Sequence, residues 1–239
     1  MLNFLLDIIF PMDRCSLCQK PGRYSTTRPW CDECAEAIRS MHEKMHICDR
    51  CGKVIDEDKF LCRDCLEKEP PFAIARAVGP YEDSCRIAIK VLKFLGKKNL
   101  AVVMGSMMAE VVEKEPRFFP IDLIIPVPAS RGHIQQRGFN QTAELARVIG
   151  KKLKIKMEDK VLIRVKETPP QRELSKEERE KNLLFAFKVQ DKEKIYRKNI
   201  LLVDDVYTTG STSRECTRTL LEAGAARVAV ITWATGHGF

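Results

Sequence analysis

Apolar and polar positions change their period several times along the chain, and each change predicts an element. "FAIARAVGPY" (72–81) alternates and predicts a strand. From about Ser84 to Leu95, Ile87, Val91 and Leu95 recur four residues apart and Gly96 follows as a stop, which predicts a helix. Residues 99–114 predict a second helix. "IDLIIPVP" (121–128) reads as a buried strand, "FNQTAELARVIGKKL" (139–153) as an amphipathic helix and "KVLIRV" (160–165) as another strand. "KETPPQRELSKEEREK" (166–181) is polar, rich in both charge signs and expected as a solvated loop. "ILLVDD" (200–205), a helix from Ser211 to about 223 with Gly224 as its stop, and "ARVAVITW" (226–233) complete the order. Alternating strands and helices predict a mostly parallel sheet covered by helices. Ligands of such sheets collect beyond the carboxyl ends of strands, where Asp204–Asp205 and Pro126–Pro128 lie.

Length and charge narrow this picture. The 239 residues allow one large domain, or a medium domain with an appendage, and 44% hydrophobic residues suffice for a core. No apolar run reaches the length of a bilayer crossing. "MLNFLLDIIFP" is short, carries Asp7 and lacks a basic start and a small-residue cleavage site, so it does not read as a secretory leader. It predicts a short amphipathic helix packed on its own protein, with docking on a partner or a membrane surface as the alternative; a cytoplasmic location is expected. The net charge of +8 is unevenly placed. Residues 1–70 hold 11 Lys and Arg against 13 Asp and Glu, and residues 71–239 hold 30 against 20. Basic excess favours phosphate-bearing partners, and it belongs to the C-terminal part alone.

Eight of the ten cysteines form four C-x-x-C pairs: Cys15/Cys18, Cys31/Cys34, Cys48/Cys51 and Cys62/Cys65. Two intervening residues let the chain turn so that both sulfurs face one ion, and two such pairs complete the tetrahedral thiolate shell of structural zinc. A disulfide framework would need an oxidising destination, which nothing in the sequence supports. Two zinc ions are therefore expected. The simplest pairing is sequential, and a cross-braced pairing of first pair with third and second with fourth stays open. A segment this small and polar folds largely on metal binding. Thiolate sites make it more acidic still, so a protein partner or a scaffold role suits it at least as well as nucleic acid. "HEKMH" (42–46) matches the zinc-protease spacing but sits in a short connection two residues before Cys48, and reads as a solvated linker helix. Cys85 and Cys216 have no such partner and read as small buried apolar residues.

The other concentration of chemistry is "LLVDDVYTTGST" (201–212). Unpaired N–H groups at a helix start, with the helix dipole, make a phosphate cradle. Thr208, Thr209, Ser211 and Thr212 add hydroxyls, and Gly210 permits close backbone approach. No Walker-type loop occurs. Carboxylates at Asp204 and Asp205 suit vicinal sugar hydroxyls, with a hard cation nearby. The combination asks for a sugar phosphate.

"ILLVDDVYTTGST" resembles the phosphoribosyl pyrophosphate motif of type I phosphoribosyltransferases. With the cysteine ribbons, "LKFLGKK" (92–98), "PVPASRGHIQQRGFNQ" (126–141) and "TPPQRELSKEEREKNLLFAF" (168–187), nearly the whole chain resembles the ComF family of competence-associated proteins, ComFC-like. The resemblance implies a double zinc ribbon over 1–70 and a phosphoribosyltransferase-like domain over 71–239. It places ribose hydroxyls on Asp204 and Asp205, the 5-phosphate on Thr208, Thr209, Gly210, Ser211 and Thr212, and pyrophosphate at Ala129, Ser130 and Arg131. Arg137, Asn140 and Gln141 would line the same cleft. Arg172, Lys176 and Arg179, together with Gln171 and Asn182, would lie on a flap that closes over departing pyrophosphate, and magnesium would bridge that group. It implies handling of incoming single-stranded DNA in the cytosol, with competence-machinery proteins as possible partners of the ribbons. An active phosphoribosyltransferase on an unidentified acceptor, or a regulator that binds the ligand and transfers nothing, are the other readings.

Overall fold

The structure, a computed structural model, describes residues 12–25, 28–94, 99–166 and 185–238. Four parallel strands form its centre: β3 (Ala75–Pro80), β4 (Leu123–Pro126), β7 (Asn199–Tyr207) and β8 (Arg227–Thr235), in the order β3-β8-β7-β4. The register sets Val203 beside Pro126 on one side and beside Ile231 on the other. Strands buried on both faces read as continuous apolar runs, and period two survives only in which face each residue meets. Leu201 and Val203 join the core on one face with Ile124, Ala229 and Ile231. Ile200 and Leu202 join the core on the other with Leu123, Ile125, Val228 and Val230.

The first face is covered by α3 (Asp83–Phe94), α4 (Leu100–Lys114) and α6 (Gln141–Leu153). α4 and α6 approach closely because Gly105 has no side chain: a Cβ there would lie 2.7 Å from the Val148 Cβ. The second face is covered by α7 (Ser211–Glu222), through Cys216 and Leu220. The helices and central strands expected over residues 72–239 are present within a few residues of their predicted bounds, α3 as far as Phe94; Leu95 to Lys98 lie outside the described residues.

One strand differs in its role. β5 (Leu162–Arg164), from "KVLIRV", does not enter the parallel sheet; it pairs antiparallel with β6 (Phe187–Val189), which the pattern did not predict. Leu162, Phe187 and Val189 bury against the α7 face, and three residues per strand offer too short an apolar run to occupy a central position. This arm brackets residues 167–184, which lie outside the described residues, as do residues 1–11 and the readings placed on them.

The two cysteine segments share the cores of the sheet. β1 (Met12–Arg14), β2 (Pro21–Tyr24) and α1 (Asp32–Lys44) form the first, which lends Cys15, Leu17, Trp30 and Ile38 to the α3/α4 face. Trp30 meets Trp233 of β8 at 5.9 Å between ring centroids. The second, with α2 (Arg63–Glu67), lends Cys48, Cys51, Ile55, Cys62 and Cys65 to the opposite, α7 face. The ribbons thus lie on opposite faces of one sheet.

Candidate functional site

Cys15, Cys18, Cys31 and Cys34 converge as one group and Cys48, Cys51, Cys62 and Cys65 as another, the sulfurs of each within 4.8 Å of one another. The pairing is sequential, and the cross-braced alternative is excluded. Zinc–sulfur bonds of about 2.3 Å in a tetrahedron set neighbouring sulfurs about 3.8 Å apart. Cys18 and Cys31 sulfurs stand at 3.7 Å, and those of Cys51 and Cys62 at 3.5 Å. Both groups therefore fit a structural zinc ion. "HEKMH" holds no such site, since α1 ends at Lys44 between its histidines. His42 is half buried against the backbone of Ala77 and Val78, and His46 Nε2 lies 2.7 Å from the Lys59 carbonyl. Cys85 and Cys216 are buried as expected, and burial pushes the Cys85 thiol up to about 12 and that of Cys216 well above its usual range.

The carboxyl ends of β7 and β4 build a second site. Asp204 and Asp205 are buried in the carboxyl-terminal half of β7. Burial, and then the Asp205 carboxylate alongside, push the Asp204 pKa up to about 8. Asp204 Oδ1 accepts the Asp205 N–H at 2.8 Å. Asp205 Oδ2 accepts from Gln141 Nε2 at 2.6 Å and forms an ion pair with Lys93 at 2.8 Å. Arg137 donates to Gln141 Oε1 at 3.1 Å, and its guanidinium lies 5.3 Å from the centre of the Phe94 ring. Burial lowers the His133 pKa, and the charges of Arg137, Lys93 and Arg164 lower it further, while Asp205 acts in the opposite direction.

The turn after β4 reaches the same place. Ser130 caps α5 (Arg131–Arg137) by accepting the His133 N–H, while Ala129 is half buried and Arg131 is exposed. Asn140 has a bracing position: it caps α6 by accepting the Thr142 N–H and donates to the Val127 carbonyl at 3.2 Å. Thr142 Oγ1 reaches that carbonyl too, at 2.5 Å.

Beyond the acids, Thr208 to Thr212 run into α7. Thr209 Oγ1 accepts the Ser211 N–H, and the two hydroxyls stand 2.8 Å apart. Gly210 has φ +78°, and a Cβ there would strike the Tyr207 phenol beneath the loop. A left-handed residue with a side chain costs about 1–2 kcal/mol. Gly210→Ala is therefore expected to lower the melting temperature by several degrees and to weaken anion binding at the loop. A calorimetric melt and a phosphate titration check both.

The structure thus brings Ala129, Ser130, Arg131, Arg137, Asn140 and Gln141 to the sheet end that holds Asp204 to Thr212. Arg172, Lys176 and Arg179 lie outside the described residues. Lys93 was not among the residues read from the sequence as site residues. Its signal was a lysine inside "LKFLGKK", and only the tertiary contact with Asp205 gives it a place.

A double zinc ribbon domain family matches residues 5–66. The chain is 32% identical to DNA utilization protein YhgH of Salmonella typhi, over 90% of this chain and 94% of that protein. It is 31% identical to competence protein F of Haemophilus influenzae, over 84% of this chain and 87% of the other. Among solved structures, glutamine phosphoribosylpyrophosphate amidotransferase from B. subtilis is 20% identical with a TM-score of 0.39, covering 56% of this chain and 27% of that one.

Proposed function

The chain belongs to the family of competence protein F and YhgH, and from that premise we propose that it handles incoming single-stranded DNA in the cytosol and carries a binding site for phosphoribosyl pyrophosphate with magnesium. The observation that carries the ligand reading is the buried Asp204–Asp205 pair beside a hydroxyl-lined helix start. In this reading Asp204 and Asp205 receive the ribose hydroxyls and Thr208 to Thr212 the 5-phosphate. Ala129 to Arg131 receive the pyrophosphate, whose charge magnesium offsets. Gln141 holds Asp205 in place, and Asn140 holds the turn through the Val127 carbonyl. The two tetrathiolate zinc sites are structural, since all four positions of each are filled by sulfur.

The ligand reading is tested by calorimetry with phosphoribosyl pyrophosphate and magnesium. Wild type is expected to bind, and Asp204→Ala with Asp205→Ala to lose most of the affinity; equal binding by the double variant sinks the assignment. The DNA reading draws on the relatives' names and on the basic excess of residues 71–239. Single-stranded DNA is expected to bind at low ionic strength and to dissociate steeply as salt rises, because phosphate attraction is a counterion-release effect. Salt-insensitive binding, or none at low salt, counts against it. A second reading, transfer of the phosphoribosyl group, has the same cleft in its favour and predicts pyrophosphate release in the presence of the right acceptor.

A further inference from the structure

Asp205 Oδ2 is engaged from two sides before any ligand arrives. Gln141 donates to it at 2.6 Å and the Lys93 ammonium lies 2.8 Å away. Lys93 stands in the last turn of α3, its side chain only 20% exposed, and the Asp205 side chain is 10% exposed. Among the described residues Asp205 is the carboxylate with which the ammonium pairs; Arg137 is bound to Gln141 and stacked on Phe94. Vicinal hydroxyls that take both oxygens of the Asp205 carboxylate therefore compete with Lys93 and Gln141 for Oδ2. Displacing the amide loses a neutral hydrogen bond. Displacing the ammonium leaves a partly buried charge without its partner, which is far more costly.

We propose that Lys93 is a specificity-determining residue, which masks Asp205 against sugar monophosphates and yields it to a sugar phosphate that also carries an anion at C1. This rests on the reading of the cleft as a phosphoribosyl pyrophosphate site. A ligand with ribose hydroxyls and a 5-phosphate alone must break the Lys93–Asp205 pair and give the ammonium nothing in return. A ligand with a diphosphate at C1 brings a new anion to the group formed by Lys93, His133 and Arg137, so that the pair is exchanged rather than lost. Discrimination arises from the cost imposed on the wrong ligand as much as from attraction to the right one.

The test compares ribose 5-phosphate with phosphoribosyl pyrophosphate and magnesium, by calorimetry, on wild type, Lys93→Ala and Lys93→Arg. Wild type is expected to favour the diphosphate by about 100-fold or more. Lys93→Ala should cut that ratio by about ten-fold or more, tightening ribose 5-phosphate while weakening the diphosphate. Lys93→Arg, which keeps the charge, should retain most of the ratio. Zinc content and circular dichroism are matched to wild type, and Lys93→Gln carries the same test should the alanine variant not fold. A loss of the same factor for both ligands, or an unchanged ratio, overturns the proposal alone. Wild type that takes neither ligand overturns the reading of the cleft and this proposal with it.

Discussion

Cys62→Ser is expected to cost the chain its cooperative fold, and not only one zinc ion. The four sulfurs of the second ribbon are buried in the same core as Phe72, Ala75, Ile125, Leu202 and Val230, so the ribbon is a wall of the sheet's α7 face. Three further ties join it to the cleft end. Val54 pairs with His237 beyond β8, Arg214 in the first turn of α7 donates to the Lys68 carbonyl at 2.9 Å, and Phe72 packs edge-on against Tyr207 at 6.0 Å. A structural zinc site contributes apparent free energies of about 10–16 kcal/mol. Net domain stability is about 5–15 kcal/mol, so losing such a site can exhaust it. Cys18, by contrast, is exposed. Cys18→Ser is expected to lower the melting temperature less than Cys62→Ser does. Native mass spectrometry with circular-dichroism melts checks this: wild type should hold two zinc ions, and a Cys62→Ser protein with one zinc and an unchanged transition would contradict it.

Asp204→Asn is expected to stabilise the ligand-free protein at neutral to alkaline pH while weakening the ligand. The Asp204 carboxyl titrates at about 8 in the folded chain, raised by burial and by Asp205, whereas an unfolded aspartate titrates at about 3.9. A raised folded pKa means that the folded state holds the proton longer. The contribution is fully present below about pH 4 and is lost progressively as pH rises through about 8, at roughly 1.4 kcal/mol for each pH unit crossed between the two. Asparagine has no such loss and keeps an oxygen for the Asp205 N–H. Urea midpoints should thus coincide near pH 4 and separate in the variant's favour towards pH 8. An advantage that does not grow across that window would refute the assignment. Stability given up at a site is a common accompaniment of function.

The chemistry legible along the chain was local. Four C-x-x-C pairs bring ligands together within a turn, and "VDDVYTTGST" sets acids, hydroxyls and a left-handed glycine around one strand end, because coordination and helix-start geometry depend on near neighbours. The central strands were equally legible, since burial on both faces leaves an unbroken apolar run. What distance along the chain concealed is of another kind. A three-residue strand carries too little pattern to say whether it joins the sheet, so β5 was placed in the wrong partnership. C-x-x-C spacing names a metal shell but not the surface against which the shell is pressed. Composition therefore left the ribbons as an appendage, while packing set them on opposite faces of one sheet. Lys93 reads as one lysine among many until α3 carries it to Asp205. The proposed ligand type rests on residues that are neighbours in sequence; burial, the raised pKa of Asp204 and the Lys93–Asp205 pair follow from residues that only folding makes neighbours, because desolvation and charge act through space.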